Sequence, residues 1–147
     1  MEDIRIFELD SVEERFVCAV NGLLQQLSSS PHRFGVEELR AIVESGSSHL
    51  FIAECGNHVC GMLTLGDYMA PTGRKIWIED VVVDEAARGK SVGRRLVEHA
   101  MAYAASLGGG SLMLTSRPSR IAANRLYRSC GFSPKETNVY VMPVKEY

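Results

Sequence analysis

The sequence predicts a single α/β domain of the α+β kind, one mixed sheet flanked by helices, in the order βααββββαβαβ. Three observations carry this expectation. A chain of 147 residues suffices for one domain with a real core. Segments with strand-like alternation interleave with segments whose apolar residues recur every three or four positions. Hairpin signals crowd the first half, whereas strands joined through helices fill the second. No internal repeat or linker divides the chain, so residues 1–147 are read as one domain.

The elements follow in order. Residues 4–9, IRIFEL, alternate as a strand. From Ser11 to Leu27 the apolar residues Val12, Phe16, Val17, Val20, Leu23, Leu24 and Leu27 mark a helix, with Ser11 as N-cap and Glu14 completing a capping box. SSSPHRFG is a turn-rich loop, and VEELRAIVES a second, shorter helix. HLFIAEC and HVCGMLTLG, joined by Gly-Asn, form a hairpin. DYMAPTGR reads as a loop, and KIWIEDVVV as a strand with an apolar second half. Val92, Leu96, Ala100, Tyr103, Ala104 and Leu107 then form one helical stripe, which Gly108–Gly110 stop. SLMLTS is a short buried strand. The next helix is started by Ser119 and ended by Gly131, with Ile121, Leu126, Tyr127 and Cys130 turned inward. NVYVMPV closes the chain as a strand whose Pro143 favours an edge.

Composition narrows the function. A hydrophobic fraction of 46% and a charged fraction of 23% belong to an ordinary globular protein. The net charge of −2 gives no bulk attraction to nucleic acid or to an anionic membrane surface. Anion recognition is therefore local, and four arginines, at 117, 120, 125 and 128, lie close together. The N-terminal MEDIRIFELD has neither a basic leader nor a long apolar stretch, and no run has the length of a membrane span, so a cytoplasmic protein is expected. Cysteines 18, 55, 60 and 130 show no framework spacing and read as reduced thiols. Cys55 and Cys60 flank His58, but in a regular Gly-Asn hairpin Cys55 faces His58 while Cys60 faces Ala53. No four-ligand zinc set is apparent, and no metal is expected.

The segment RGKSVG, residues 88–93, contains the letters of a phosphate loop. Such a loop needs a glycine five positions before the Gly-Lys-Ser, where this chain has Asp84. A nucleotide P-loop is therefore rejected. What stands is a strand, a short turn with two glycines, and a helix N-terminus, whose free amides and dipole suit a diphosphate.

Taken together, IEDVVV, RGKSVG opening a helix, SLMLTS and AANRLYRSCGF resemble the GNAT superfamily of N-acetyltransferases from about Trp77 to Phe132. The resemblance implies a mostly antiparallel sheet and acetyl transfer from acetyl-CoA, the co-substrate, to an amine. The family's pyrophosphate turn reads Arg or Gln, two residues, Gly, one residue, then Gly or Ala. Here Arg88 and Gly93 match, Ser91 replaces the middle glycine, and Gly89, Lys90 and Val92 complete the turn. By the same resemblance Val81, Val82 and Val83 pair with the pantetheine arm. Asn124 hydrogen-bonds that arm, and Tyr127, three residues on along the same helix face, meets the thiol.

Amide formation needs a neutral amine, a stabilised oxyanion and a proton for the leaving thiolate. Glu79 resembles the residue associated with amine deprotonation in the polyamine and glucosamine-6-phosphate branches. Tyr127 is the expected general acid and the Val81 N–H the oxyanion donor. Adjacent strand positions put Glu79 and Asp80 on opposite faces, so one of them is expected to face the acceptor. Asp80 and Arg120 are candidate substrate contacts, and Cys130 a packing residue rather than a nucleophile. The acceptor region is expected at the N-terminal helices, the loop from Ser28 to Gly35, and DYMAPTGR. The expected activity is acetylation of a small-molecule primary amine of the polyamine, amino sugar or amino acid class. Acetylation of a protein lysine or N-terminal amine, and a non-catalytic acyl-CoA sensor, are the alternatives. A homodimer built with the terminal strand is the expected assembly.

Overall fold

A computed structural model describes residues 3–30 and 33–145; Pro31 and His32, in the predicted loop, lie outside the described residues. The elements are β1 (Ile4–Glu8), α1 (Glu14–Leu27), α2 (Val36–Glu44), β2 (Ser48–Cys55), β3 (His58–Ala70), β4 (Gly73–Val83), α3 (Val92–Ser106), β5 (Ser111–Met113) and α4 (Ile121–Ser129). One sheet runs β1-β2-β3-β4-β5, antiparallel throughout except for the parallel pair β4–β5. This is the mixed, mostly antiparallel architecture that the sequence predicts.

The sheet carries a core on each face. Along β2, Leu50 and Ile52 pack with Phe16, Val20, Leu23 and Leu39 of α1 and α2. Phe51 and Ala53 pack with Leu96, Val97 and Ala100 of α3 on the other side. A strand buried on both faces loses the polar half of its alternation, hence the continuous apolar run.

Helix starts differ from the sequence pattern. Helix α1 opens at Glu14 after Glu13, while the Ser11 hydroxyl donates to Glu13 Oε2 at 2.7 Å rather than to the helix. In α4, Arg120 rather than Ser119 is the N-cap. The turns that end the last two helices are as expected: Gly108 and Gly131 adopt φ of 97° and 105°, the left-handed conformation that glycine takes without a Cβ penalty.

Three strands rather than four separate α2 from α3. DYMAPTGR is not a loop, because Tyr68, Met69 and Ala70 pair with Lys75, Arg74 and Gly73 around a Pro-Thr turn. Asp67, a poor strand former, is held there by tertiary partners: Arg74 Nη1 donates to it at 2.9 Å, and its other oxygen lies 3.0 Å from His49 Nε2. The predicted terminal strand is also absent. Val139, Tyr140, Val141, Met142 and Val144 are 67–87% exposed and have no ladder partner among the described residues, and alternation alone does not make a strand.

Cys55 and Cys60 are joined in a disulfide with Cα atoms 5.8 Å apart, which corrects the expectation of reduced thiols at these positions. The reason is a bulge: Ala53 pairs with Gly61 and Glu54 with Val59, so Cys60 is the extra residue and does not face Ala53. Cys18 and Cys130 are free. Among the described residues no helix is long and apolar enough to cross a membrane.

Candidate active site

The site originates in an irregularity of β4. Thr64 pairs with Glu79 and Met62 with Val82, so Asp80 and Val81 together oppose Leu63. Asp80 is the turning point, at φ 50°, a left-handed conformation that Asp tolerates better than most residues. Side-chain alternation inverts there. Ile76 and Ile78 belong to the core under α3, whereas Val82, of the same parity, belongs to the core under α1.

Past the bulge the sheet opens. Strands β4 and β5 pair only through Lys75–Trp77 and Ser111–Met113. Beyond this the two chains diverge and form opposite walls of a cavity of about 1430 Å³. Glu79 and Asp80 both line it, so the expectation that one carboxylate turns away is corrected by the bulge. Val81, Val82 and Val83 continue the same wall.

One end of the cavity is the turn before α3. Arg88, Gly89, Ser91, Val92 and Gly93 line it. Gly89 has φ 82° and Ser91 φ 65°, ψ 20°, so the turn uses two left-handed residues, and backbone of this kind gathers N–H groups into an anion-binding concavity. The Ser91 hydroxyl makes no capping bond. Asp84 is not among the residues that line the cavity: its carboxylate is engaged as the cap of the short turn before Arg88, accepting from the Ala86 N–H at 3.2 Å and from Gln26 Nε2 at 3.4 Å. Gly93 has a packing reason, since a Cβ there would lie 3.3 Å from Leu126 Cδ2 of α4. The Arg94 guanidinium donates to the Ser129 hydroxyl, which also ties α3 to α4. A 15-residue helix with a glycine-containing turn at its N-terminus and Arg88 beside it fits the diphosphate of a coenzyme.

Helix α4 supplies the remaining wall. Tyr127 lines the cavity yet is only 6% exposed, with its ring edge-on to Phe132 at 6.1 Å between centroids. Burial raises its pKa above the ordinary value of 10.0, against a smaller opposing effect of the Arg120 charge. Tyr127 therefore keeps its proton at neutral pH. Glu79 is also raised above its ordinary 4.5, first by desolvation and then by the nearby Asp80 carboxylate. Arg120 lines the cavity as well.

Two predicted residues stand apart from this wall. The Asn124 amide donates to the carbonyls of Arg117 and Arg120, at 2.9 and 2.8 Å, and so fastens the turn that carries Arg120. Lys90 lies within the Arg88–Gly93 turn but is not among the residues that face the cavity. The acceptor region is likewise redistributed. Ser28 and Ser29, after α1, reach the cavity, whereas residues 67–74 belong to the hairpin at the other end of β4.

The sequence reading did not assign Leu114, Thr115 and Ser116, the continuation of β5, to the site; with Arg117, one of the four arginines noted for anion recognition, they form the wall facing β4. A signal was available: ligands bind beyond the carboxyl ends of adjacent parallel strands. Among the described residues no group of three or more His, Cys, Asp and Glu side chains is arranged to hold a metal.

Comparison with known proteins places the chain in a family. The acetyltransferase (GNAT) family model matches residues 19–132. Glucosamine 6-phosphate N-acetyltransferase 1 of Oryza sativa subsp. japonica is 32% identical over 148 residues, covering 92% of this chain and 84% of that protein. An aminoglycoside acetyltransferase from an uncultured soil metagenomic sample, solved with trehalose, superposes with a TM-score of 0.84 at 17% identity over 97% of each chain. The glucosamine-6-phosphate N-acetyltransferase structure from Arabidopsis thaliana gives 0.80 at 23% identity, over 96% of this chain and 99% of that one. A family match that spans most of the chain, on a sheet opened beside a glycine-containing helix N-terminus, means that this protein belongs to the GNAT family of N-acetyltransferases.

Proposed function

We propose that the protein transfers the acetyl group of acetyl-CoA directly to the primary amine of a small molecule, with an amino sugar as the favoured acceptor class. The observation that carries this reading is the meeting of Glu79, Asp80, the Arg88–Gly93 turn and Tyr127 on one cavity. GNAT enzymes use acetyl-CoA as co-substrate, and when bound it supplies the activated acetyl group.

In this reading the turn amides and Arg88 hold the pyrophosphate, and the backbone of Val81 to Val83 pairs with the pantetheine amides. Val81 has no ladder partner in β3, so its N–H is the donor for negative charge that builds on the acetyl oxygen. Glu79 accepts the proton that an ammonium must lose before attack, directly or through water. Its raised pKa makes it a stronger base than an ordinary carboxylate. The neutral amine adds to the thioester carbonyl, the C–S bond breaks as the charge on the oxygen collapses, Tyr127 hands a proton to the departing sulfur, and the surplus proton on the new amide nitrogen returns to Tyr127, directly or through water. Asn124 acts by fixing the Arg117–Arg120 turn.

The acceptor class draws support from the mixture of charges. Glu79 and Asp80 attract a cationic amine, whereas Arg117 and Arg120 in the same cavity suit an anionic substituent such as a phosphate. The 32% identical rice protein is named for an amino sugar phosphate, which points the same way. We further propose that a second copy of the chain covers the exposed apolar segment from Val139 to Val144, because monomers rarely leave so much contiguous apolar surface in water.

The test is release of CoA from acetyl-CoA across amino sugars and their phosphates, polyamines, amino acids and lysine peptides. Amino sugar turnover that falls about 100-fold or more in Glu79→Gln and in Tyr127→Phe supports the reading. Turnover confined to peptides overturns the acceptor class, and full activity in Glu79→Gln overturns the base.

A further inference from the structure

Among the described residues, one buried side-chain polar atom has no hydrogen-bond partner, the Oγ of Ser116. Its neighbours in chemistry are all matched. The buried His49 lies between Glu8 and Asp67, at 2.8 and 3.0 Å, and the buried Glu54 accepts from Arg5 at 3.1 Å. A buried hydroxyl without a partner is destabilising, and a native chain keeps one where something else recovers the cost.

Its place in the fold says where a partner would come from. Ser116 lies on the cavity wall, three residues beyond Met113, the last residue of β5 paired with β4. Trp77 is the partner of Met113, so three residues on along the parallel pair the level of Ser116 is that of Asp80, at the bulge. Val81, with its unladdered N–H, follows immediately. The hydroxyl is thus on the wall opposite the proposed oxyanion donor, not at the pyrophosphate end. No hydrogen bond holds it in its present rotamer, so turning by one staggered step toward the cavity sacrifices none.

We propose that the Ser116 hydroxyl is a binding contact for the thioester end of acetyl-CoA, made as the co-substrate fills the opening between β4 and β5. This rests on the reading that acetyl-CoA is the co-substrate. It assigns the β5 wall a part, beside the proposed Val81 N–H, in distinguishing acetylated from free coenzyme, a distinction that the pyrophosphate turn and the backbone of Val82 and Val83 cannot make because both forms share those groups. A simple small-residue packing role for Ser116 predicts no such discrimination.

The experiment is calorimetric titration of the wild type and Ser116→Ala with acetyl-CoA and, separately, with CoA, together with thermal melts of both proteins without ligand. The expected result is a loss of about five- to tenfold in acetyl-CoA affinity with CoA affinity kept within about twofold, as for one lost hydrogen bond. The melting temperature of Ser116→Ala is expected to equal or exceed that of the wild type, since an unsatisfied group has been removed. An unchanged ratio of the two dissociation constants overturns the proposal. So does a lowered melting temperature, which would mean that the hydroxyl serves the free protein. If the wild type binds CoA and acetyl-CoA but Ser116→Ala behaves identically, this inference fails while the acetyl-CoA reading stands; a wild type that binds neither overturns both.

Discussion

Replacing Ser91 by glycine tests whether the turn before α3 is strained. Ser91 sits at φ 65°, ψ 20°, where an L-residue brings its Cβ close to the following carbonyl at a cost of roughly 1–2 kcal/mol. Glycine removes that cost but has more freedom to lose on folding, roughly 0.5–1 kcal/mol. No hydrogen bond opposes the change, because the exposed Ser91 side chain makes no capping bond. The balance favours Ser91→Gly by about 0.5–1 kcal/mol, which for a chain of this size raises Tm by roughly 1–4 °C. The assay is thermal unfolding followed by circular dichroism, with Ser91→Ala as the control. Alanine retains the Cβ, so its Tm should equal the wild type or fall. The backbone carries the amides, and it is unchanged in either variant, so the affinity for CoA should stay within a few-fold. Stabilisation by alanine equal to that by glycine would refute the argument, since the strain would then lie in the hydroxyl and not in the backbone.

Asp80→Asn keeps a residue that tolerates positive φ and removes the charge that helps raise the Glu79 pKa. In its proposed role Glu79 is a base only when ionised, so activity should fall as pH drops through its raised pKa; the variant should move this acidic limb of kcat/KM to lower pH, and an unmoved limb would separate Asp80 from the base. Desolvation is the larger cause and persists, so the limb should remain above the ordinary glutamate value. The same raised pKa favours the fold at low pH and is a contribution lost as pH rises through it, which Asp80→Asn should reduce. Sedimentation velocity tests the exposed terminal segment: the full chain should sediment as a dimer at micromolar concentration and a chain ending at residue 136 as a monomer, whereas a monomeric full chain would sink the proposed assembly.

Much of the fold was legible because its cause is local. The helical stripe from Val92 to Leu107, the glycines that end α3 and α4, and the apolar runs of β2 and β3 follow from periodicity and from the conformational freedom of glycine, which the sequence displays directly. Where reading failed, the deciding partner was distant in sequence. Asp67 lies in a strand because Arg74 and the region of His49 receive its carboxylate. The segment from Val139 to Val144 alternates like a strand but has no ladder partner among the described residues.

The site divides in the same way. The residues of the proposed pyrophosphate turn, the pair Glu79 and Asp80, and Tyr127 were named from the order of residue types and their family resemblance, because a chemical requirement limits which types can serve. That both carboxylates face one cavity is a matter of the bulge at Asp80, which inverts the alternation of β4. That bulge depends on pairing with β3, and the cavity on the parting of β4 from β5, so neither is written in any short stretch of chain. The role of Asn124 in fastening a turn and the unpartnered hydroxyl of Ser116 are of this second kind too. Sequence by itself determined which chemical groups this protein has and the local periods that build its helices and strands; tertiary structure decided which groups meet, because contact and burial depend on the pairing of segments far apart in the chain.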